Sequence, residues 1–113
     1  MITPLAPVTV DVSKPAIDPM IAASEQAARL LKAMANPARL RILCLVAEGE
    51  RPVGEIAQVL GLREPAASQQ LAQLRMENLV VARKDAQRVI YRLASNEVER
   101  ILATLRDIFC PPV

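Results

Sequence analysis

Histidine and tryptophan are absent from this 113-residue chain, and Tyr91 and Phe109 are its only aromatic residues. Without histidine there is no imidazole to ligate zinc or haem, and the commonest general base is missing. So few rings leave a core of Leu, Ile, Val, Ala and Met, a composition that suits packed helices. Apolar residues still make up 52% of the chain, so a single domain can bury a real core without disulfide or metal. Long apolar runs are lacking: the stretch from Ile42 to Ala47 falls far short of the roughly 20 residues that cross a bilayer. The opening, MITPLAPVTVDVSKPAIDP, has neither the basic start nor the continuous apolar run of an export signal. A cytoplasmic protein with no membrane partner is expected. Cys44 and Cys110 are the only cysteines, and in that compartment any disulfide between them would be regulatory rather than structural. No Cys-x-x-Cys is present and no histidine can activate a thiol, so neither an enzyme nor a cofactor is expected.

What the chain does have is concentrated between Gly54 and Asn78, GEIAQVLGLREPAASQQLAQLRMEN. Ile56, Val59 and Leu60 recur at helical spacing, and Gly61 supplies the positive-φ position that ends such a helix. A second helix is predicted from about Glu64 to Met76, with Pro65 tolerated in its first turn. Its apolar face is Ala67, Leu71 and Leu74; its other face carries Glu64, Ser68, Gln69, Gln70 and Gln73. Amide and hydroxyl groups both donate and accept, which is what reading base edges in a major groove requires. Two short helices joined by a tight turn, the second so equipped, is the helix-turn-helix layout. A glutamine-rich face taken alone is equally that of an ordinary solvated helix.

Around this centre, residues 1–18 are proline-rich and aperiodic and read as a flexible arm, leaving 19–113 as the folded domain. A helix is predicted from Met20 to Ala35, stopped by Asn36-Pro37, and another from Pro37 to Ala47 with Leu40, Leu43, Cys44 and Ala47 on one stripe. After the helix pair the period changes to two. Val80–Lys84 and Arg88–Leu93 read as a hairpin turning at Asp85-Ala86-Gln87. Such a hairpin is a wing, with Arg83, Lys84, Gln87 and Arg88 near its tip for phosphate contact; charges there also keep an edge strand from aggregating. The net charge is only +2, but residues 63–92 hold six basic and three acidic side chains, so the basic excess lies where DNA would. A final helix is predicted from Asn96 to Phe109, capped by Ser95. Its long stripe includes Ile101, Leu102, Leu105, Ile108 and Phe109, and with Leu30, Leu31 and Met34 of the first helix it is the expected dimer face.

The runs LLKAMANPARLRILCLVAEGE, VGEIAQVLGL, AASQQLAQLRMENLV and VIYRL resemble the ArsR family of winged-helix repressors over roughly residues 22–109. The resemblance implies a mainly α fold with a β-hairpin wing, in the order α-α-α-α-β-β-α, that represses transcription as a homodimer on a near-palindromic double-stranded operator. It also implies that Ser68, Gln69 and Gln70 enter the major groove. Arg63 departs from the family's usual Ser or Thr before the recognition helix and is expected to touch phosphate instead. Metal-sensing members use a Cys-x-Cys where this chain reads Pro52-Val53-Gly54, or Asp and His on the last helix; no metal site is expected. The pair Cys44 and Cys110 is similar to that of the dithiol, persulfide-responsive branch (the SqrR/BigR type). That likeness implies release of DNA when reactive sulfur species join the two thiols through a disulfide or polysulfide bridge. The alternative is a repressor that answers a metal, haem or other small effector, its cysteines being no more than small apolar residues.

Overall fold

A computed structural model describes residues 18–112. It falls into two units divided after Leu31. Apart from Asp18, the proline-rich arm expected over 1–18 lies outside the described residues.

In the first unit, helix α1 (Pro19–Ala22) begins where Asp18 Oδ1 accepts the Met20 N–H at 2.8 Å. The single helix expected from Met20 to Ala35 is instead broken at Ala23, and α2 runs Ser24–Met34. At the break the Ser24 hydroxyl donates to the Met20 carbonyl at 2.9 Å, a bond to i−4 of the kind that bends helices.

The second unit begins within α2 and continues into α3 (Pro37–Ala47), whose start is well determined by sequence. Asn36 is extended, and its Oδ1 accepts the N–H groups of both Ala38 and Arg39, at 2.9 and 3.2 Å. Pro37 fills the first turn, where a missing N–H costs nothing. The expected stripe gave only part of the buried face. Ile42, Leu43, Leu45 and Val46 are buried while Leu40, Cys44 and Ala47 are half-exposed, so α3 is enclosed on more than one side.

Three antiparallel strands follow the order β1-β3-β2, with β1 at Arg51–Pro52, β2 at Val80–Asp85 and β3 at Arg88–Leu93. The hairpin register pairs Val80 with Leu93 and closes at Asp85 opposite Arg88, leaving Ala86-Gln87 as the turn. β1 pairs Arg51 with Tyr91 and Pro52 with Ile90. A proline is admissible there because β1 is an edge strand, whose outer side needs no backbone donor.

Between β1 and β2 lie α4 (Val53–Leu60) and α5 (Glu64–Met76). Both end the same way. Gly61 adopts φ 67°, and the N–H groups of Leu62 and Gly61 reach back to the Ala57 and Gln58 carbonyls at 2.8 and 3.3 Å. Asn78 adopts φ 63°, and Leu79 and Asn78 reach back to Leu74 and Arg75 at 2.9 and 3.0 Å. This is the Schellman closure. Ile56 of α4 and Ala67, Leu71 and Leu74 of α5 are fully buried with Ile42 and Leu43, which fixes this helix pair on α3. The last helix, α6 (Asn96–Phe109), contributes Val98 and Leu102 to the same core.

Candidate nucleic-acid interface

Helix α5 presents the expected face, with differences in detail. Its first turn has Glu64 beside the positive end of the helix dipole and Pro65 where no N–H is needed; Arg63 stands at the cap without a side-chain hydrogen bond. Arg63, Glu64, Gln69 and Gln73 are exposed and Ser68 is half-exposed. Gln70 departs from expectation: it is only partly exposed, and its Oε1 is buried with no partner among the described residues. Gln73 is not free either. Its Oε1 accepts from Arg39 Nη2 at 2.9 Å, while Arg39 Nη1 donates to the Ala33 carbonyl at the end of α2, also at 2.9 Å. Sequence reasoning missed Arg39 because it lies 34 positions from its partner. It also passed over Ala66, Ala72 and Met76, which are exposed on α5; small apolar groups at such positions can meet a thymine methyl.

A second arginine bridge fixes α4. Arg51 Nε donates to the Leu45 carbonyl at 3.2 Å, Nη1 to Glu55 at 2.7 Å and Nη2 to Glu48 at 3.0 Å. Glu55 and Glu48 on this guanidinium hold its pKa above the ordinary value, with the Glu55 hydrogen bond first among the causes. Arg39 thus ties the end of α2 to α5, and Arg51 ties the end of α3 to α4. Each helix of the helix-turn-helix pair is anchored by one guanidinium to a carbonyl in the layer behind it.

In the wing, Lys84, Gln87 and Arg88 are exposed at or beside the turn as expected. Arg83 is exposed as well, but engaged. It sits opposite Ile90, below the turn, and its Nη2 donates to Glu50 Oε1 at 2.6 Å. That hydrogen bond, ahead of smaller Coulombic contributions, holds the Glu50 carboxyl below the usual glutamate range and raises Arg83. Arg83 therefore braces the wing's base, and Lys84 is the tip cation with no ion-pair partner among the described residues. Arg88 has only a long contact, 3.4 Å, to Asp85.

Comparison with known proteins agrees with this geometry. Residues 36–81, which span α3 to the start of the wing, match the model for bacterial regulatory proteins of the arsR family. The biofilm growth-associated repressor of Agrobacterium fabrum is 44% identical over 87 residues, 77% of this chain and 74% of that protein. The chain belongs to the ArsR family. It is a DNA-binding transcriptional regulator, and not an enzyme, of the winged helix-turn-helix fold. Two solved structures of similar proteins show how far the likeness extends. Reduced HlyU from Vibrio cholerae, a protein named as a transcriptional activator, is 45% identical with a TM-score of 0.76, covering 83% of this chain and 99% of that one. The homodimeric winged helix-turn-helix domain Mb0332 from Mycobacterium bovis is 40% identical with a TM-score of 0.69, covering 82% and 86%.

The expected dimer face and the thiols complete this ArsR regulator's candidate residues. Leu31, Ile108 and Phe109 are exposed to 55%, 61% and 74%, far more than large apolar side chains usually are. Leu30, Ile101 and Leu105 are half-exposed. Met34 and Leu102 are corrections: at 3% and 1% exposure they belong to the protomer's own core and offer nothing to a second copy. The wide stripe of α6 serves two purposes, its Val98–Leu102 edge facing inward and its Ile108–Phe109 end facing out. Met20 and Ile21 of α1 are exposed as well and were not singled out by sequence. Both cysteines are free thiols, Cys44 half-exposed on α3 and Cys110 exposed as the residue that ends α6. No helix among the described residues is long and apolar enough to cross a membrane.

Proposed function

We propose that this chain is a homodimeric repressor that holds a near-palindromic operator while Cys44 and Cys110 are thiols and lets it go when they are bridged. The observation that carries the reading is the placement of the two thiols. Neither cysteine is sealed in the core, as one serving only for packing would be, and each sits on an element with a mechanical role. Cys44 lies on α3, the helix that bears Arg39 and underlies the reading pair. Cys110 ends α6, whose last turn carries exposed Ile108 and Phe109. A link between these helices would change how the two recognition helices of a dimer are spaced, and two such helices must stay about 34 Å apart to meet successive major grooves. That a relative is described in a reduced form, and another as a homodimer, supports both halves of the reading.

Reactive sulfur species supply balanced chemistry. One cysteine thiolate takes the outer sulfur of a low-molecular-weight persulfide and releases that compound's thiolate. The second cysteine then attacks the inner sulfur of the new protein persulfide, forms the disulfide and expels hydrogen sulfide. The dithiol loses two electrons and the sulfane sulfur gains them. A second persulfide on the other cysteine would give a bridge with one more sulfur by the same displacement.

Cys44→Ser and Cys110→Ser test the reading separately. Each variant should bind the operator as tightly as the parent and keep it when persulfide is added. Release from either variant would remove the dithiol mechanism and return attention to another effector.

A further inference from the structure

At the C-terminal end of α5, the helix and the sheet border an open groove of about 470 Å³, lined by Ala72, Arg75, Met76, Asn78 and Tyr91. The groove continues the exposed face of α5: Ala72 and Met76 lie three and seven residues beyond Gln69, on the same side of the helix. Its other wall belongs to the wing. Tyr91 pairs with Ala82 and Val89 with Lys84, so the tip cation Lys84 and Tyr91 share one face of the hairpin. A duplex that meets both α5 and the wing runs one of its backbones through this space.

The lining suits a phosphate. Arg75 is exposed and has no ion-pair partner among the described residues, and no acid lines the groove with it. Glu77 is close in sequence but is not part of the lining. Tyr91 supplies an independent observation. The residue is only 8% exposed, yet its hydroxyl makes no hydrogen bond among the described residues. Gln70 Oε1 is the one buried side-chain polar atom left without a partner among them, so the Tyr91 hydroxyl reaches open space, and the groove is the space that Tyr91 lines. Bare carbonyls at a helix C-terminus repel an anion. Here the N–H groups of Leu79 and Asn78 cover the Leu74 and Arg75 carbonyls at 2.9 and 3.0 Å, which leaves fewer of them bare.

We propose that Arg75 and the Tyr91 hydroxyl form a seat for one backbone phosphate of DNA, between the recognition helix and the wing. Arg and Tyr side chains both donate to phosphate oxygens, and such contacts fix a protein's register on the duplex without reading sequence. The two differ in kind. Arg75 neutralises a charge and releases a counterion, whereas the Tyr91 hydroxyl adds a neutral hydrogen bond, so only the first is felt in the salt dependence.

The inference rests on the operator-holding half of the proposed function and not on the thiols, so reduced protein is used throughout. The parent selects a site from a randomised double-stranded DNA pool. The parent, Gln69→Ala, Arg75→Ala, Tyr91→Phe and Arg100→Ala are then titrated with that site and with an unrelated duplex over a range of salt. Gln69→Ala tests the groove assignment of α5 alone and should narrow the preference for the selected site; an unchanged preference would remove that assignment and the proposal with it. Arg75→Ala should weaken both duplexes alike and flatten the salt dependence by about one unit. Arg100→Ala, which removes the same charge from an exposed position on α6, should not. Tyr91→Phe keeps the buried ring and should weaken both duplexes by about threefold, with the salt dependence and the thermal midpoint of the parent. Neutral methylphosphonates placed singly along the selected site locate the seat: at one position per half-site the replacement should weaken the parent and leave Arg75→Ala as it was. The proposal is overturned if Arg75→Ala keeps the parent's salt dependence, if Arg100→Ala flattens it equally, or if Tyr91→Phe binds as the parent does. It is also overturned if every methylphosphonate weakens the parent and Arg75→Ala to the same extent. Should Arg75→Ala fail to fold, the Tyr91→Phe titration alone decides.

Discussion

Asn78 and Ala86 are the two non-glycine residues of positive φ among those described, at 63° and 57°. They are not equivalent. Asn tolerates the left-handed region because its short polar side chain can bond locally, whereas Ala gains nothing there and bears about 1–2 kcal/mol of strain. Ala86→Gly should therefore raise the unfolding free energy by up to about 1 kcal/mol in a denaturant titration. Asn78→Ala should lower it by about 1 kcal/mol, while Asn78→Gly should not. Sequence marked Gly61 as a helix terminator but not Asn78, because glycine's permissiveness shows in its identity and asparagine's only in its context. Ser95 shows the converse. It occupies the cap position expected of it, yet its side chain makes no capping bond. Its hydroxyl instead acts on the Glu97 carboxylate, as the first cause of that group's lowered pKa. The stabilising contribution is present above the ordinary glutamate pKa and is lost as pH falls through the lower, folded value. In an NMR titration, Ser95→Ala should move the Glu97 midpoint upward; an unmoved midpoint would assign the shift to the helix start alone.

At the scale of elements, the helices of the reading pair and the hairpin were legible because each satisfies several local rules at once. Periodicity, a cap and a terminator agree for α3, α4 and α5. Asn36→Ala should accordingly cost about 1 kcal/mol of stability, since one side chain satisfies two backbone donors at the start of α3. β1 was not legible: it has two residues, one of them proline, and exists only because β3 is there to pair with it. The break between α1 and α2 was hidden for a similar reason, the apolar period continuing across a single bent residue. The Arg83–Glu50 pair was not legible because the two residues lie 33 positions apart. For the wing, Arg88→Ala should reduce the salt dependence of DNA binding by about one unit and weaken all sequences alike. Arg83→Ala should instead loosen the wing's base, seen as faster amide exchange in β2 and β3.

For the whole molecule, the sequence carries the family, the helix-turn-helix pair and the two thiols. It leaves out what joins them: the arginine bridges from α2 to α5 and from α3 to α4, which depend on residues far apart in the chain. It also overstates the dimer face, because periodicity alone does not distinguish a stripe that faces the protomer's own core from one that faces a partner. Met34 and Leu102 face the former, and Ile108 and Phe109 stay exposed. If bridging Cys44 and Cys110 frees the operator, bridge formation and DNA release must coincide. The protein bound to operator DNA is exposed to glutathione persulfide, and intact mass and DNA occupancy are followed in the same sample. Occupancy should fall in step with a species that has lost two hydrogens, or has lost two hydrogens and gained whole sulfur atoms within one chain. A fully bridged protein still on its operator, or DNA released with no change in mass, would contradict it.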